Sequence, residues 1–147
     1  MLPEILLKHL ARKIFNGKLV LNSTEKSLYQ IYFNITNKNK NNVLMKLLMT
    51  NIIDRDVIKL ELTKTLLSFN KININQENNN GNTVLIICAK STYIKYDSYR
   101  LEIFKELLKA NPDLHITNFD KENVLSAVIT SNSIKDDQIR YDIIKEL

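Results

Sequence analysis

A chain of 147 residues with 44% apolar and 25% charged side chains is long enough to bury a sizeable core and too apolar to stay disordered. Its formal charge of +5 comes from 17 scattered lysines and only four arginines, which argues against a protein that reads bases or phosphates through guanidinium forks. One cysteine excludes an intrachain disulfide and suits a reducing compartment, two glycines exclude a phosphate-cradling loop, and no stretch reaches the roughly 18 to 20 apolar residues of a membrane span.

The N-terminal stretch LPEILLKHLARKIFN places Leu2, Ile5, Leu6, Leu10 and Ile14 on one helical stripe, with Pro3 in the first turn, where it is tolerated. Charges at Glu4, Lys8, His9, Arg12 and Lys13 deny it the apolar core of a secretory signal. Asn16 and Gly17 read as a helix stop. A second helix is expected with Ser23 or Thr24 as its cap and Leu28, Ile31 and Tyr32 on its apolar face. Residues 1–32 are therefore expected to form a helical cap, burying Leu6, Leu10 and Ile14 against the chain beyond residue 32.

From Phe33 onward the chain lines up with itself. FNITNKNKNNVLMKLLMT from Phe33, INQENNNGNTVLIICAKS from Ile74 and LHITNFDKENVLSAVITS from Leu114 place their VL pairs at Val43, Val84 and Val124, spaced by 41 and 40 residues. Such a period is the first thing to look for, because missing it misassigns the whole fold. Later in each unit come LTKTLLSF at 62–69, IFKELLKA at 103–110 and IIKEL at 143–147, each with the i, i+3, i+4 spacing of an amphipathic helix.

The short runs after each VL are apolar throughout, and periodicity alone does not separate buried helix from buried strand there. Their setting decides for helix. A polar turn leads into each run, and Asn42, Thr83 and Asn123 stand just before it, where a side-chain oxygen can cap free backbone N–H groups. The units run approximately over 33–73, 74–113 and 114–147. The abundance of asparagine and isoleucine, 19 of each, is a bias that AT-rich coding produces by itself.

The unit NGNTVLIICA resembles the ankyrin repeat, whose hallmark is a turn followed by T-P-L-H-x-A and a second helix. Gly81, Thr83, Leu85 and Ala89 fall on the family's glycine, threonine, leucine and second small position. Val84 replaces the proline, Ile86 the histidine, and Cys88 stands at the first small position. ELLKANPDLHI is similar to the stretch that closes such a repeat, with Asn111 and Pro112 near its glycine and alanine. The period of about 40 exceeds the usual 33 or so, the excess falling at 92–100 and 131–140, and Lys40 and Lys121 stand where the other units would carry the glycine. Degenerate, lengthened repeats of this kind look like those of large-DNA-virus proteins and of effectors from intracellular bacteria.

The resemblance implies an all-α, ankyrin-type helical repeat solenoid with an N-terminal helical cap, working in the cytoplasm, a host's in the effector case, by binding another protein. It implies no enzyme activity, cofactor, metal or small-molecule substrate. Partners would touch the turn tips, Lys38 and Asn39, Asn79 and Asn80, Phe119 and Asp120, and the exposed positions of the first helices, Lys46 and Met49, Ile87 and Lys90, Ala127 and Thr130. Phe119 is the expected anchor. As an alternative, LPEILLKHL is similar to the opening of an F-box, which would make the chain a substrate adaptor of a ubiquitin ligase; the module's later tryptophan has no counterpart here. Arrays of repeats need polar ends, so the last face is expected to be covered, by further chain or by a second protein.

Chemistry is a weaker reading of the same residues. Cys88 lies on an apolar run where a small residue packs, so burial is expected rather than nucleophilic use. His9, His115 and one cysteine do not make a zinc site by themselves. Asp136 and Asp137 are expected at a solvated helix start, where the dipole favours them. Tyr93, Tyr96 and Tyr99 recur every three residues, either as one packed face or as a contact site.

Overall fold

The computed structural model describes residues 2–16 and 22–147, the side chains of Leu2, Ile14 and Phe15 excepted. The described residues form eight α-helices and no strand: α1 (Leu2–Phe15), α2 (Ser23–Tyr32), α3 (Val43–Leu48), α4 (Asp56–Ser68), α5 (Val84–Lys90), α6 (Asp97–Leu108), α7 (Val124–Thr130) and α8 (Asp137–Glu146). The three apolar runs are thus helices, short enough that packing rather than propensity holds them. Each starts at the expected cap. Asn42 Oδ1 accepts from the Met45 amide at 3.0 Å, Thr83 Oγ1 from Ile86 at 3.5 Å and Asn123 Oδ1 from Ser126 at 2.9 Å.

The short helices α3, α5 and α7 touch one another in that order, as do the long helices α4, α6 and α8, and each short helix also packs on the long one that follows it. The core runs between these two rows. Val43, Leu44, Leu47 and Leu48 of α3, all of Val84–Ala89 in α5, and Val124, Ala127 and Val128 of α7 are buried, facing Leu62 and Leu66 of α4, Ile103, Phe104 and Leu107 of α6 and Ile143 of α8. Each buried Val, Leu, Ile or Phe side chain among them is worth about 1.5–3 kcal/mol on removal from water.

At the N-terminal end, α1 packs on α3 and α4 and buries Leu6, Leu7 and Leu10, while Lys46 pairs with Glu4 at 3.3 Å. Leu6 and Leu10 are thus buried as expected. Ile5 is exposed, because Leu7 takes the inward position assigned to it. Gly17 and the side chain of Ile14, both part of the expected pattern, lie outside the described residues. The cap of α2 is Asn22, one residue before the expected serine, with its Oδ1 accepting from the Glu25 amide at 2.8 Å. Tyr32 is half-buried, but Leu28 and Ile31 are exposed and α2 buries none of its residues fully.

The linkers between paired helices are shorter than expected. Helix α6 begins at Asp97 and α8 at Asp137, so Tyr96 is a helix cap, Tyr99 sits half-buried within α6, and only Tyr93 of the three tyrosines belongs to the connecting loop. The long helices α4 and α6 are followed by Asn70 and Asn111 at positive φ, 52° and 51°, a left-handed stop that asparagine tolerates and that suits a helix end.

Candidate functional site

Three turns project at the ends of the short helices, and one asparagine builds each. Asn37 Oδ1 accepts from the amides of Asn39 and Asn41, Asn78 Oδ1 from Asn80 and Asn82, and Asn118 Oδ1 from Asp120 and Glu122, all at 2.9–3.1 Å. The amide nitrogen of Asn78 then donates to Asn41 Oδ1 at 3.0 Å, and that of Asn118 to Asn82 Oδ1 at 2.9 Å, tying each turn to the one before. The backbone repeats the tie. Asn79 N donates to Asn39 O at 3.0 Å and Phe119 N to Asn80 O at 3.1 Å. The asparagine excess is therefore partly structural, with turn and inter-turn bonds that other side chains supply less well.

Each turn closes through a residue at positive φ: Lys40 at 59°, Gly81 at 72° and Lys121 at 63°. Only at position 81 is the space also needed. A Cβ there would stand 2.9 Å from Phe119 Cδ1 and 3.0 Å from Phe119 N, so the glycine lets the Phe119 ring lie over it. The ring is nevertheless 75% exposed, held out from a turn that is bonded on both sides.

Of the expected contact residues, Lys38, Asn39, Asn79, Asn80, Lys90, Phe119, Asp120 and Thr130 are exposed, and Lys46 and Met49 are half-buried. Ile87 is corrected to buried, at 6%, and Ala127 to fully buried. The cause is the short row itself: α5 has α3 on one side and α7 on the other, which leaves little of it outside, and α7 turns Leu125 and Ile129 outward instead. Ile87 still borders a shallow groove of about 220 Å³ shared with Met49, Ile86, Lys90 and Tyr93, so the structure brings Met49, Ile87 and Lys90 together and adds Tyr93. Lys90 pairs with Glu122 at 2.6 Å, and this bond, followed by one from Asn118, holds the Glu122 carboxyl below its ordinary range.

Two further columns of polar residues recur at 41 and 40 residues and, apart from Asp137 as a helix-start residue, were not singled out from the sequence: Asp56, Asp97 and Asp137, and Lys59, Arg100 and Arg140. The aspartates lie thirteen residues after Val43, Val84 and Val124, and that constant offset was the available signal. Asp56 Oδ2 accepts from the amides of Lys95 and Tyr96 at 2.9 and 2.8 Å, and Asp97 Oδ2 from those of Lys135 and Asp136 at 2.7 and 2.9 Å. Each hooks the connecting loop of the next unit. The cations bind the loop of their own unit: Arg100 donates to the carbonyls of Cys88, Ser91 and Ile94, Arg140 to those of Val128, Ser131 and Ile134, and Lys59 to those of Thr50 and Ile53. Half of the four arginines thus hold backbone.

Lysine is the poorer choice in this column. Arg100 Nε reaches Asp97 Oδ1 at 3.2 Å, whereas Lys59 has no equivalent nitrogen and Asp56 Oδ1 is left buried without a partner. Burial also pushes the Lys59 ammonium below its ordinary pKa, against the pull of Asp56. Lys59→Arg is therefore expected to stabilise the protein by about 1 kcal/mol, read as a higher urea midpoint at an unchanged slope.

The remaining chemical candidates sit apart. Cys88 is fully buried, and burial pushes its thiol up to about 12, the nearby Arg100 opposing only in part, so it is no nucleophile at neutral pH. The His9 ring lies tilted against Tyr29, centroids 5.7 Å apart, and the His115 amide donates to Asp113 Oδ1 at 2.9 Å. Asp136 caps α8, accepting from Gln138 and Ile139, and Asp137 stands next in its first turn. Among the described residues no three His, Cys, Asp or Glu side chains converge, and no helix is long and apolar enough to cross a membrane. Neither the models of known protein families nor the curated proteins give a match to this chain.

Proposed function

We propose that the chain is an ankyrin-type helical repeat solenoid that binds another protein and performs no chemistry itself. The observation that carries the reading is Phe119, a large apolar ring held in solvent by a turn too heavily bonded to fold it away. An aromatic side chain fixed in advance contributes contact area with little entropy left to lose, which is the character of an interface anchor. The 41- and 40-residue period, the two rows of helices and the bonded turns support the solenoid. The shallow groove between Met49, Ile87, Lys90 and Tyr93 offers a second contact on the short-helix side.

Comparative affinity capture from lysate tests this, with wild type beside Phe119→Ala and Asn79→Ala. Phe119→Ala is expected to lose a specific partner and to weaken the purified interaction by about tenfold to a hundredfold. Identical capture lists for all three proteins would sink the proposal that the tips carry recognition.

The adaptor alternative keeps one observation in its favour. Ile5, Leu28 and Ile31 are exposed on the N-terminal helix pair, although Leu6, Leu7 and Leu10 are spent on the packing of α1. Binding of a purified ubiquitin-ligase adaptor that is lost in Leu28→Asp with Ile31→Asp would favour this reading over a plain cap.

A further inference from the structure

The two joints between units are built alike, and the face of α7 and α8 carries the acceptor half of a third. Leu44 and Leu85 occupy one column and are buried, while Leu125 in the same column is 41% exposed. Leu48 and Ala89 are buried, and Ile129 is 55% exposed; Leu60 is buried and Leu101 half-buried, and Tyr141 is 56% exposed. Polar positions obey the same rule. Asp56 and Asp97 each hold two consecutive amides of the next loop, whereas the Asp137 side chain is 95% exposed, with Arg140 Nε at 3.5 Å from its Oδ1. Arg100 stands at 3.2 Å from Asp97 Oδ1 in the same way, so Asp137 has the internal arrangement of a filled hook. Ser91 Oγ donates to the Leu48 carbonyl and Ser131 Oγ to that of Ala89, which makes the Ile129 carbonyl, with one bond from Arg140 Nη1 at 3.2 Å and a second lone pair to spare, the next acceptor in the series.

We infer that this face is a docking surface for one more helical unit of the same build. That unit presents a short helix against Leu125 and Ile129, a hydroxyl to the Ile129 carbonyl, and two consecutive backbone amides to Asp137 Oδ2. The chemistry is that of the two joints already made, continued by one step. A second copy of this chain does not supply it: its loops at 91–96 and 131–136 are engaged by Asp56 and Asp97, and its α3 and α4, the only pair with no preceding unit, are covered by α1. The surface is built from Leu125, Ile129 and Asp137 and not from the Phe119 ring, so the inference stands or falls separately from the role of Phe119.

The test extends the full chain by a second copy of residues 108–147 joined after Leu147, which keeps the period. The extended protein is expected to unfold in one transition at a higher urea midpoint than the parent. In the added copy, the amides that correspond to Lys135 and Asp136 are expected to exchange about tenfold more slowly with Asp137 present than in the extended Asp137→Ala variant. Separate melting of the added copy, an added copy that stays unfolded beside a folded parent, or equal exchange with and without Asp137 would each overturn the inference. So would a parent chain that sediments as a dimer and is dissociated by Asp137→Ala, since the occupant would then be a second copy.

Discussion

Arg100→Leu is expected to destabilise the protein by about 3–5 kcal/mol, the largest single effect in the chain, and to abolish folding if the wild type lies near the lower end of ordinary stabilities. The guanidinium is fully buried in the first turn of α6. It donates to the carbonyls of Cys88 at 2.7 Å, Ser91 at 3.1 Å and Ile94 at 3.2 Å, reaches Ser133 O in the following unit at 3.3 Å, and pairs with Asp97. Leucine fills much of the volume and leaves every one of those acceptors behind, several without access to water, together with a carboxylate that has lost its cation. Arg100→Lys separates charge from geometry. Lys59 shows what lysine achieves at this position, two carbonyls and an unsatisfied aspartate oxygen, so the lysine variant is expected to lose about 1–2 kcal/mol. Urea unfolding at constant slope measures both, and a loss below about 1 kcal/mol for the leucine variant would remove the arginine from the centre of the joint.

The same residue shows where sequence reading stops. Apolar positions and caps were legible because burial and N-cap chemistry act locally: the VL runs, Asn42, Thr83 and Asn123 needed no knowledge of distant partners. Phe119 was legible as a turn residue with nowhere to pack. The Asp and Arg columns were not, since an aspartate at a helix start and a cation one turn later read as ordinary helix-dipole and i,i+3 charges. Their partners are backbone groups, which carry no side-chain signature, and those of the aspartates lie about 40 residues away. Ile87 failed for a related reason. Exposure along a short helix depends on what stands on either side, and the middle unit, with the best-preserved motif, is covered from both.

Asp97→Ala is expected to cost about 2–4 kcal/mol, because one carboxylate holds both the loop of the next unit and the Arg100 guanidinium. Its Oδ2 accepts from the Lys135 and Asp136 amides and its Oδ1 from Arg100, while the side chain is only 10% exposed. Alanine leaves two loop amides short of an acceptor and Arg100 short of its counter-charge. The pH dependence has its origin in the same bonds. Burial raises the carboxyl's pKa, but the amides of Asp136 and Lys135 and then Arg100 outweigh it, so the folded value lies below the ordinary 3.8. A depressed folded pKa gives stability that is fully present above the unfolded value and drains away as pH falls through the folded one. Wild type is therefore expected to lose more stability between about pH 6 and about pH 3 than Asp97→Asn does. Glu4 and Glu122, also depressed, contribute equally to both proteins. Parallel pH profiles would mean that Asp97 binds the loop no better as a carboxylate than as a neutral group, and would weaken the hook on which the joint and its proposed continuation at Asp137 both rest.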